Sequence, residues 1–104
     1  MSERRPVLVL SNNIMNPNDP NVLIAPLSKN LETKISRNGK KVPKFNSQYF
    51  LYKKVYSFLD YDSAVMTEAL RNVSKIRLTR RLGEISEDDY KRVLARLKWT
   101  TQLS

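Results

Sequence analysis

The chain has 104 residues, of which 40% are hydrophobic and 28% charged, and this length suits one folded domain with a modest core. It contains no cysteine and no histidine, which excludes disulfides, metal sites that use thiolate or imidazole ligands, and catalysis by paired histidines. Nineteen Lys and Arg residues against ten Asp and Glu residues give a net charge of +9, which indicates a polyanionic partner.

The acidic residues are scattered along the chain or lie on one predicted helix face, so we expect neither a metal nor a cofactor. No apolar run approaches the roughly 20 residues that span a bilayer, so no membrane partner is expected. The lack of cysteine fits a cytoplasmic setting.

The first two predicted elements are short apolar strands. Residues 7–10 form a run of valine and leucine after Pro6, and residues 22–25 form a second run that Pro26 closes. The residues between them, 12–21, are rich in asparagine and proline, as is typical of loops. Together these segments predict a hairpin.

The middle of the chain is polar and basic, with a turn predicted at Asn38-Gly39. Residues 49–52 and 55–59 are aromatic and favour strands, and residues 60–63 interrupt them. Residues 64–73 are predicted to form a further strand, although the stretch around residues 68–70 also has helical propensity.

The C-terminal region predicts an amphipathic helix. Ser86 and Asp89 have the spacing of a capping box, and acidic residues fill the first turn. An apolar stripe follows at helical spacing: Tyr90, Val93, Leu94 and Leu97. Strands followed by a terminal helix predict a single α+β domain over residues 1–104, in the form of a small, mainly antiparallel barrel.

The positive charge is concentrated in residues 29–54, which hold eight Lys and Arg residues and one Glu. This segment could form a groove for nucleic acid, or it could be a solvated basic loop. Tyr49, Tyr52 and Tyr56 could stack on bases or pack in the core, and we leave both alternatives open.

Four segments in order resemble the MazF/PemK family of toxins. Arg5-Pro6 leads into an apolar strand that ends at Ser11-Asn12, and a second strand ends in the step Ala25-Pro26-Leu27-Ser28. The interval from Arg5 to Ser28 matches the arginine-to-threonine interval of the family without a gap. Residues 62–71 resemble the family's strand that carries a glutamate and then an arginine. Residues 77–86 resemble the basic turn and short strand that precede the family's last helix.

The chain also departs from the family pattern. Ser28 replaces threonine, Ala69 replaces the glutamine that commonly follows the glutamate, and Asn72 replaces the usual threonine. Family members usually begin further upstream, so this chain is expected to lack the first strand and the loop that follows it.

The resemblance implies an SH3-like antiparallel barrel with a C-terminal helix, minus that first strand. It implies a metal-independent, sequence-specific endoribonuclease that acts on single-stranded RNA and leaves a 2′,3′-cyclic phosphate. It also implies a homodimer held inactive by an acidic antitoxin. Two alternatives remain open: an inactive homologue that binds antitoxin or RNA, and a gyrase poison like the CcdB relatives.

The same resemblance implies the site residues. Arg5 would bind the phosphate and Ser28 would donate a hydrogen bond to a non-bridging oxygen, but no general base is evident. The residues expected to bind RNA are Lys29, Asn30, Lys34, Lys40, Lys41, Glu68 and Arg71.

Overall fold

The computed structural model describes residues 5–10 and 18–102, with side chains up to residue 100; most of the predicted loop at residues 12–21 lies outside this range. Within the described part there are seven strands and one α-helix. They are β1 (Val7–Val9), β2 (Asn21–Ser28), β3 (Thr33–Ile35), β4 (Lys41–Pro43), β5 (Gln48–Leu51), β6 (Ser63–Met66), β7 (Arg71–Ser74) and α1 (Glu87–Gln102).

The sheet is built around β2. Strand β1 pairs antiparallel along one edge of β2, which confirms the predicted hairpin, and β7 and then β6 pair along the other edge. Strand β5 pairs with β6, so the order β1-β2-β6-β5 is open at both ends within the described residues. The predicted α+β class with a C-terminal helix is confirmed, and the described strands do not close into a barrel.

Strand β2 does not end at Pro26 as predicted, but continues to Ser28. The odd-numbered residues of β2 bond toward β1, with Leu27 N donating to the Pro6 carbonyl at 3.3 Å. The nitrogen of Pro26 therefore faces the other edge, between the stretches of β2 that pair with β7 and β6. No ladder bond is missing there, which is why a proline fits inside this strand.

The predicted strand over residues 64–73 was wrong in one respect, because it is broken into β6 and β7 by a 3₁₀ turn, Thr67–Ala69. Ile24 pairs with Arg71, whereas Leu27 pairs with Val65. An advance of three residues along β2 thus corresponds to six residues along the chain that pairs with it, and the 3₁₀ turn contains the extra residues. The helical propensity of this stretch is expressed as this single turn.

The polar segment before β5 forms a separate hairpin of β3 and β4, which the sequence analysis had not assigned to strands. The predicted turn at Asn38-Gly39 is confirmed: Gly39 N donates to the Ser36 carbonyl at 2.9 Å. Gly39 has a φ of +76°, a conformation that glycine adopts without steric strain.

Strand β5 confirms the strand predicted at residues 49–52, but the strand predicted at residues 55–59 was wrong. Two amides, those of Val55 and Tyr56, donate to the Tyr52 carbonyl at 3.0 Å, and these bonds make turns instead. The turns point Tyr56 and Leu59 into the core. The apolar character of the segment therefore reflects burial and not β-structure.

Helix α1 confirms the C-terminal prediction. Val93 is fully buried, and Tyr90 and Leu97 pack against the core cluster, whereas Leu94 is exposed. Asp89 N donates to Ser86 Oγ at 3.1 Å, which is one half of the predicted capping box. No helix in the described residues is long and apolar enough to cross a membrane.

The carboxylate of Asp89 accepts hydrogen bonds from the sheet side of the molecule. Tyr49 OH donates to Oδ1 at 2.6 Å, and Tyr56 OH donates to Oδ2. Tyr56 OH in turn accepts a bond from Ser86 N at 2.8 Å. These bonds fix the start of α1 against β5 and against the turns that follow it.

The ionisation of the two partners reflects this contact. Burial, followed by donation to Asp89, raises the pKa of Tyr49 to about 12. Burial alone would raise the pKa of Asp89, but the hydrogen bonds from Tyr49, Tyr56 and Ser86 outweigh it, so this pKa lies below its ordinary value.

We predict that Asp89→Asn lowers the free energy of unfolding by about 1–3 kcal/mol, because an amide accepts these bonds more weakly than a carboxylate. A carboxyl with a lowered pKa stabilises the fold above its unfolded pKa of about 3.9, and this contribution is lost as pH falls through the folded pKa. Urea unfolding at neutral and acidic pH measures both effects.

Asp88→Asn is the matched control, because Asp88 is exposed and pairs with Arg92 one turn away at 3.1 Å. It is expected to change the unfolding free energy little, as is usual for surface ion pairs. Equal losses in the two variants would show that general charge at the helix start, and not the tyrosine contact, stabilises α1.

Candidate functional site

The pairing of β1 with β2 places Arg5 opposite Ser28. Val7 pairs with Pro26, and the bond from Leu27 N to the Pro6 carbonyl continues the pairing by one residue. The next opposite positions are Arg5 and Ser28, and opposite residues of an antiparallel pair point to the same face. Arg5 is exposed and Ser28 is partly buried.

Ser28 ends β2, and its hydroxyl shapes the turn that follows. Ser28 Oγ accepts a bond from Asn30 N at 3.1 Å. This bond uses an oxygen lone pair and leaves the hydroxyl hydrogen able to bond an incoming oxygen. On the other edge, Ser28 pairs with the fully buried Ala64. The Ser28 hydroxyl therefore lies on a residue that is paired within the sheet.

Five of the residues predicted to bind RNA divide into two groups along the chain. Lys29 and Asn30 follow Ser28 directly and are exposed. Lys34, Lys40 and Lys41 belong to the β3–β4 hairpin and its turn, and they too are exposed.

The lysines of the hairpin do not share one face. Lys34 pairs with Val42, and Ile35 pairs with Lys41. Because side chains alternate along a strand, Lys34 and Lys41 point to opposite faces. A single bound strand can therefore follow one face of the hairpin or pass around its tip, but it cannot lie flat on both lysines.

Glu68 and Arg71 have different surroundings from Ser28. The Glu68 carboxylate accepts bonds from Ser47 Oγ and Gln48 Nε2, both at 2.9 Å. Arg71 is exposed at the start of β7, opposite Ile24. Four residues of strand separate Ile24 from Ser28, a distance of about 13 Å. The continued register of β1 and β2 therefore aligns Arg5 with Ser28, whereas Arg71 lies about 13 Å away along β2.

The tyrosines considered for base stacking also separate. Tyr49 and Tyr56 use their hydroxyls on Asp89 and belong to the support of α1, whereas Tyr52 is 41% exposed. The sequence analysis missed Tyr61, which is 60% exposed and has Lys29 Nζ at 5.4 Å from its ring centroid. Because Tyr61 lies between two aspartates, the sequence analysis had assigned it to the interruption at residues 60–63.

Among the described residues there is no group of three or more histidine, cysteine or acidic side chains that could hold a metal ion. A groove of about 320 Å³ lies between α1 and the start of β5. Two arginines line it, and both have partners, since Arg92 pairs with Asp88 and Arg96 donates to the Asn46 carbonyl.

A sequence-family model for the PemK-like, MazF-like toxins of type II toxin–antitoxin systems matches residues 1–101. The chain belongs to this toxin family. The resemblance drawn from Arg5-Pro6, Ser28 and the later segments is therefore confirmed at the level of the family.

Solved structures with the same fold agree with this membership. The Mycobacterium tuberculosis toxin MazF-mt6 superposes with a TM-score of 0.74 at 19% identity, covering 96% of this chain and 88% of that protein. Another M. tuberculosis toxin gives 0.72 at 19% identity, with 92% and 91% covered. An endoribonuclease from a mycobacterial species, in complex with its cognate antitoxin, gives 0.68 at 18% identity, with 96% and 82% covered.

In this MazF-like chain, Glu68 holds the 3₁₀ turn against the start of β5. We predict that Glu68→Ala lowers the free energy of unfolding by about 1–3 kcal/mol, because it leaves buried donors on Ser47 and Gln48 without their acceptor. Chemical denaturation measures this loss.

The control is Glu84→Ala, which removes an exposed carboxylate paired with Arg81. Its unfolding free energy is expected to stay close to that of the wild type. If Glu68→Ala is as stable as this control, the bonds to Ser47 and Gln48 do not hold the turn.

Proposed function

We propose that this MazF-like toxin is a metal-independent, sequence-specific endoribonuclease that cuts single-stranded RNA. The observation that carries the proposal is the cross-strand position of Arg5 opposite Ser28, next to a strongly basic segment. Membership of the toxin family supports it, as does the fold shared with a mycobacterial endoribonuclease.

The proposed reaction is attack of the ribose 2′-oxygen on the adjacent phosphorus. A 2′-O–P bond forms and the P–O5′ bond breaks, which gives a 2′,3′-cyclic phosphate and a 5′-hydroxyl end. The guanidinium of Arg5 presents a planar fork of donors that matches two phosphate oxygens. The hydroxyl of Ser28 donates to a non-bridging oxygen as negative charge grows on it.

The proton balance involves groups other than imidazole, since the chain has no histidine. The 2′-hydroxyl loses its proton to a general base, and the 5′-oxygen gains a proton from a general acid as it leaves. The proposed contribution of Arg5 and Ser28 is stabilisation of the phosphorane.

For RNA binding, we assign phosphate contacts to Lys29 and to the hairpin lysines, Lys34, Lys40 and Lys41, with Arg71 as a more distant contact. Asn30 follows the site residue Ser28 and would bond the RNA through its amide. Glu68 acts indirectly, because both of its carboxylate oxygens already bond Ser47 and Gln48. Affinity that rests on lysines falls steeply as salt concentration rises.

We further propose that the toxin acts as a homodimer and is neutralised by an acidic antitoxin. The net charge of +9 favours an acidic protein as much as it favours RNA. The mycobacterial endoribonuclease of the same fold is known in complex with its antitoxin. The missing imidazole base favours one alternative, a protein that binds RNA or antitoxin without cutting.

We predict that the wild type cuts a long single-stranded RNA in the presence of EDTA. Arg5→Ala and Ser28→Ala should each lower the single-turnover rate by about 100-fold, the usual effect of removing one donor to the transition-state oxyanion. Mass spectrometry of the fragments should show cyclic phosphate ends.

Lys91→Ala is the control for lost charge, because Lys91 lies on α1 and pairs with Glu87 at 3.6 Å. It should cut at the wild-type rate. If the wild type leaves RNA intact at protein excess yet binds it tightly, the binding-only alternative is correct. If Arg5→Ala cuts as fast as the wild type, Arg5 is not catalytic.

A further inference from the structure

Two exposed tyrosines with lysines over their rings lie at one end of the sheet. Lys29 Nζ is 5.4 Å from the ring centroid of Tyr61, and Lys54 Nζ is 6.0 Å from that of Tyr52. These rings are 60% and 41% exposed. Exposed aromatic rings interleaved with lysines are the arrangement that binds single-stranded nucleic acid by stacking and charge.

The strand register places the backbones that carry the two rings near each other. Leu51 and Ser63 are the last pair of β5 and β6. Beyond them, Lys53 N donates to Asp62 Oδ1 at 2.8 Å, so the two chains stay adjacent as they leave the sheet. Tyr52 and Tyr61 stand on these two departing chains.

The same register places Tyr61 near the candidate catalytic serine. Ser28 pairs with Ala64, which follows Tyr61 by three residues. Lys29 comes directly after Ser28, and its ammonium lies over the Tyr61 ring. The Lys29 side chain therefore spans the distance between the end of β2 and this ring.

We propose that Tyr61 and Lys29 form a base-stacking subsite for the nucleotide next to the phosphate held at Ser28. This inference rests on the proposed ribonuclease function and adds a part of the site that binds bases. Its occupant is single-stranded RNA.

The two faces of the Tyr61 ring have different roles in this subsite. Lys29 covers one face and brings a positive charge toward the neighbouring phosphate, while a base stacks on the other. Stacking of this kind tolerates any base, because every base has a π-face. The subsite therefore contributes affinity and alignment at Ser28, and the choice of bases comes from hydrogen bonds elsewhere.

Two other tyrosines and one phenylalanine do not serve this purpose. Tyr49 and Tyr56 are turned inward and bonded to Asp89. Phe45 also has a lysine near its ring, Lys44 at 5.5 Å. Phe45 precedes β5, however, and lies at the opposite end of that strand from Tyr52. It therefore provides a matched control: a similar ring and lysine in the wrong place.

The test is binding of the full chain to a single-stranded RNA with 2′-fluoro in place of the 2′-hydroxyl, which cannot be cut. Tyr61→Leu should weaken binding about tenfold, within the range seen when a stacked aromatic ring is removed. Tyr61→Phe should bind like the wild type, because the ring is kept. Tyr61→Leu should leave urea unfolding unchanged, since Tyr61 is exposed.

The salt dependence separates the ring from the charge. Tyr61→Leu should not change the slope of log Kd against log salt concentration, because no charge is removed. Lys29→Gln should reduce this slope by about 0.7, the value for one lysine contact to a single strand. Phe45→Leu should leave both the affinity and the slope at their wild-type values.

Several results would overturn the inference. If Tyr61→Leu binds like the wild type while the wild type still cuts RNA, the subsite is wrong and the ribonuclease stands. If Phe45→Leu weakens binding as much as Tyr61→Leu, stacking is not localised at Ser28. If the wild type neither binds nor cuts RNA, the proposed function fails, and the subsite fails with it.

Discussion

The contact between Asp89 and the hydroxyls of Tyr49 and Tyr56 determines how the helix and the sheet fit together. A partly buried carboxylate is unfavourable unless its oxygens accept hydrogen bonds, so the first turn of α1 must meet β5 where both hydroxyls are available. Once this contact forms, Val93 is directed into the core. The turns after β5, which carry Tyr56, are held by the same contact.

Strand β2 positions the candidate site within the sheet. It pairs with β1 on one edge and with β7 and then β6 on the other, so a displacement of β2 would break three ladders at once. Where the partner of β2 changes from β7 to β6, β2 needs a residue that makes no ladder bond, and Pro26 is that residue. The partner chain needs extra residues at the same place, and the turn at Glu68 supplies them. These two local features let Ser28 pair with β6, and the β1–β2 register on the other edge aligns it with Arg5.

The sequence predicted the elements whose signal is local. The β1–β2 hairpin and α1 follow from short apolar runs, an asparagine-rich loop and a capping box, all of which act within a few residues. The strand predicted at residues 55–59 was wrong because β-prone side chains can fill the core from a turn as well as from a strand. Only tertiary contacts decide which of the two structures forms. The placement of Tyr61 beside Lys29 could not be predicted either, since it depends on the register of β2 against β6. Arg5 and Ser28 were chosen by family resemblance, and their cross-strand alignment needed the structure.

A basic surface alone cannot distinguish RNA from an acidic protein, because both present anionic groups to lysine. Carboxylates and phosphates compete for the ammonium groups of the hairpin on similar terms. An exposed aromatic ring changes this balance, since a base has a π-face that an aspartate or glutamate side chain lacks. In the proposed site, charge would draw in either partner and the Tyr61 ring would favour RNA. An antitoxin that displaces RNA would then need an aromatic or apolar side chain to cover this ring, in addition to its negative charge.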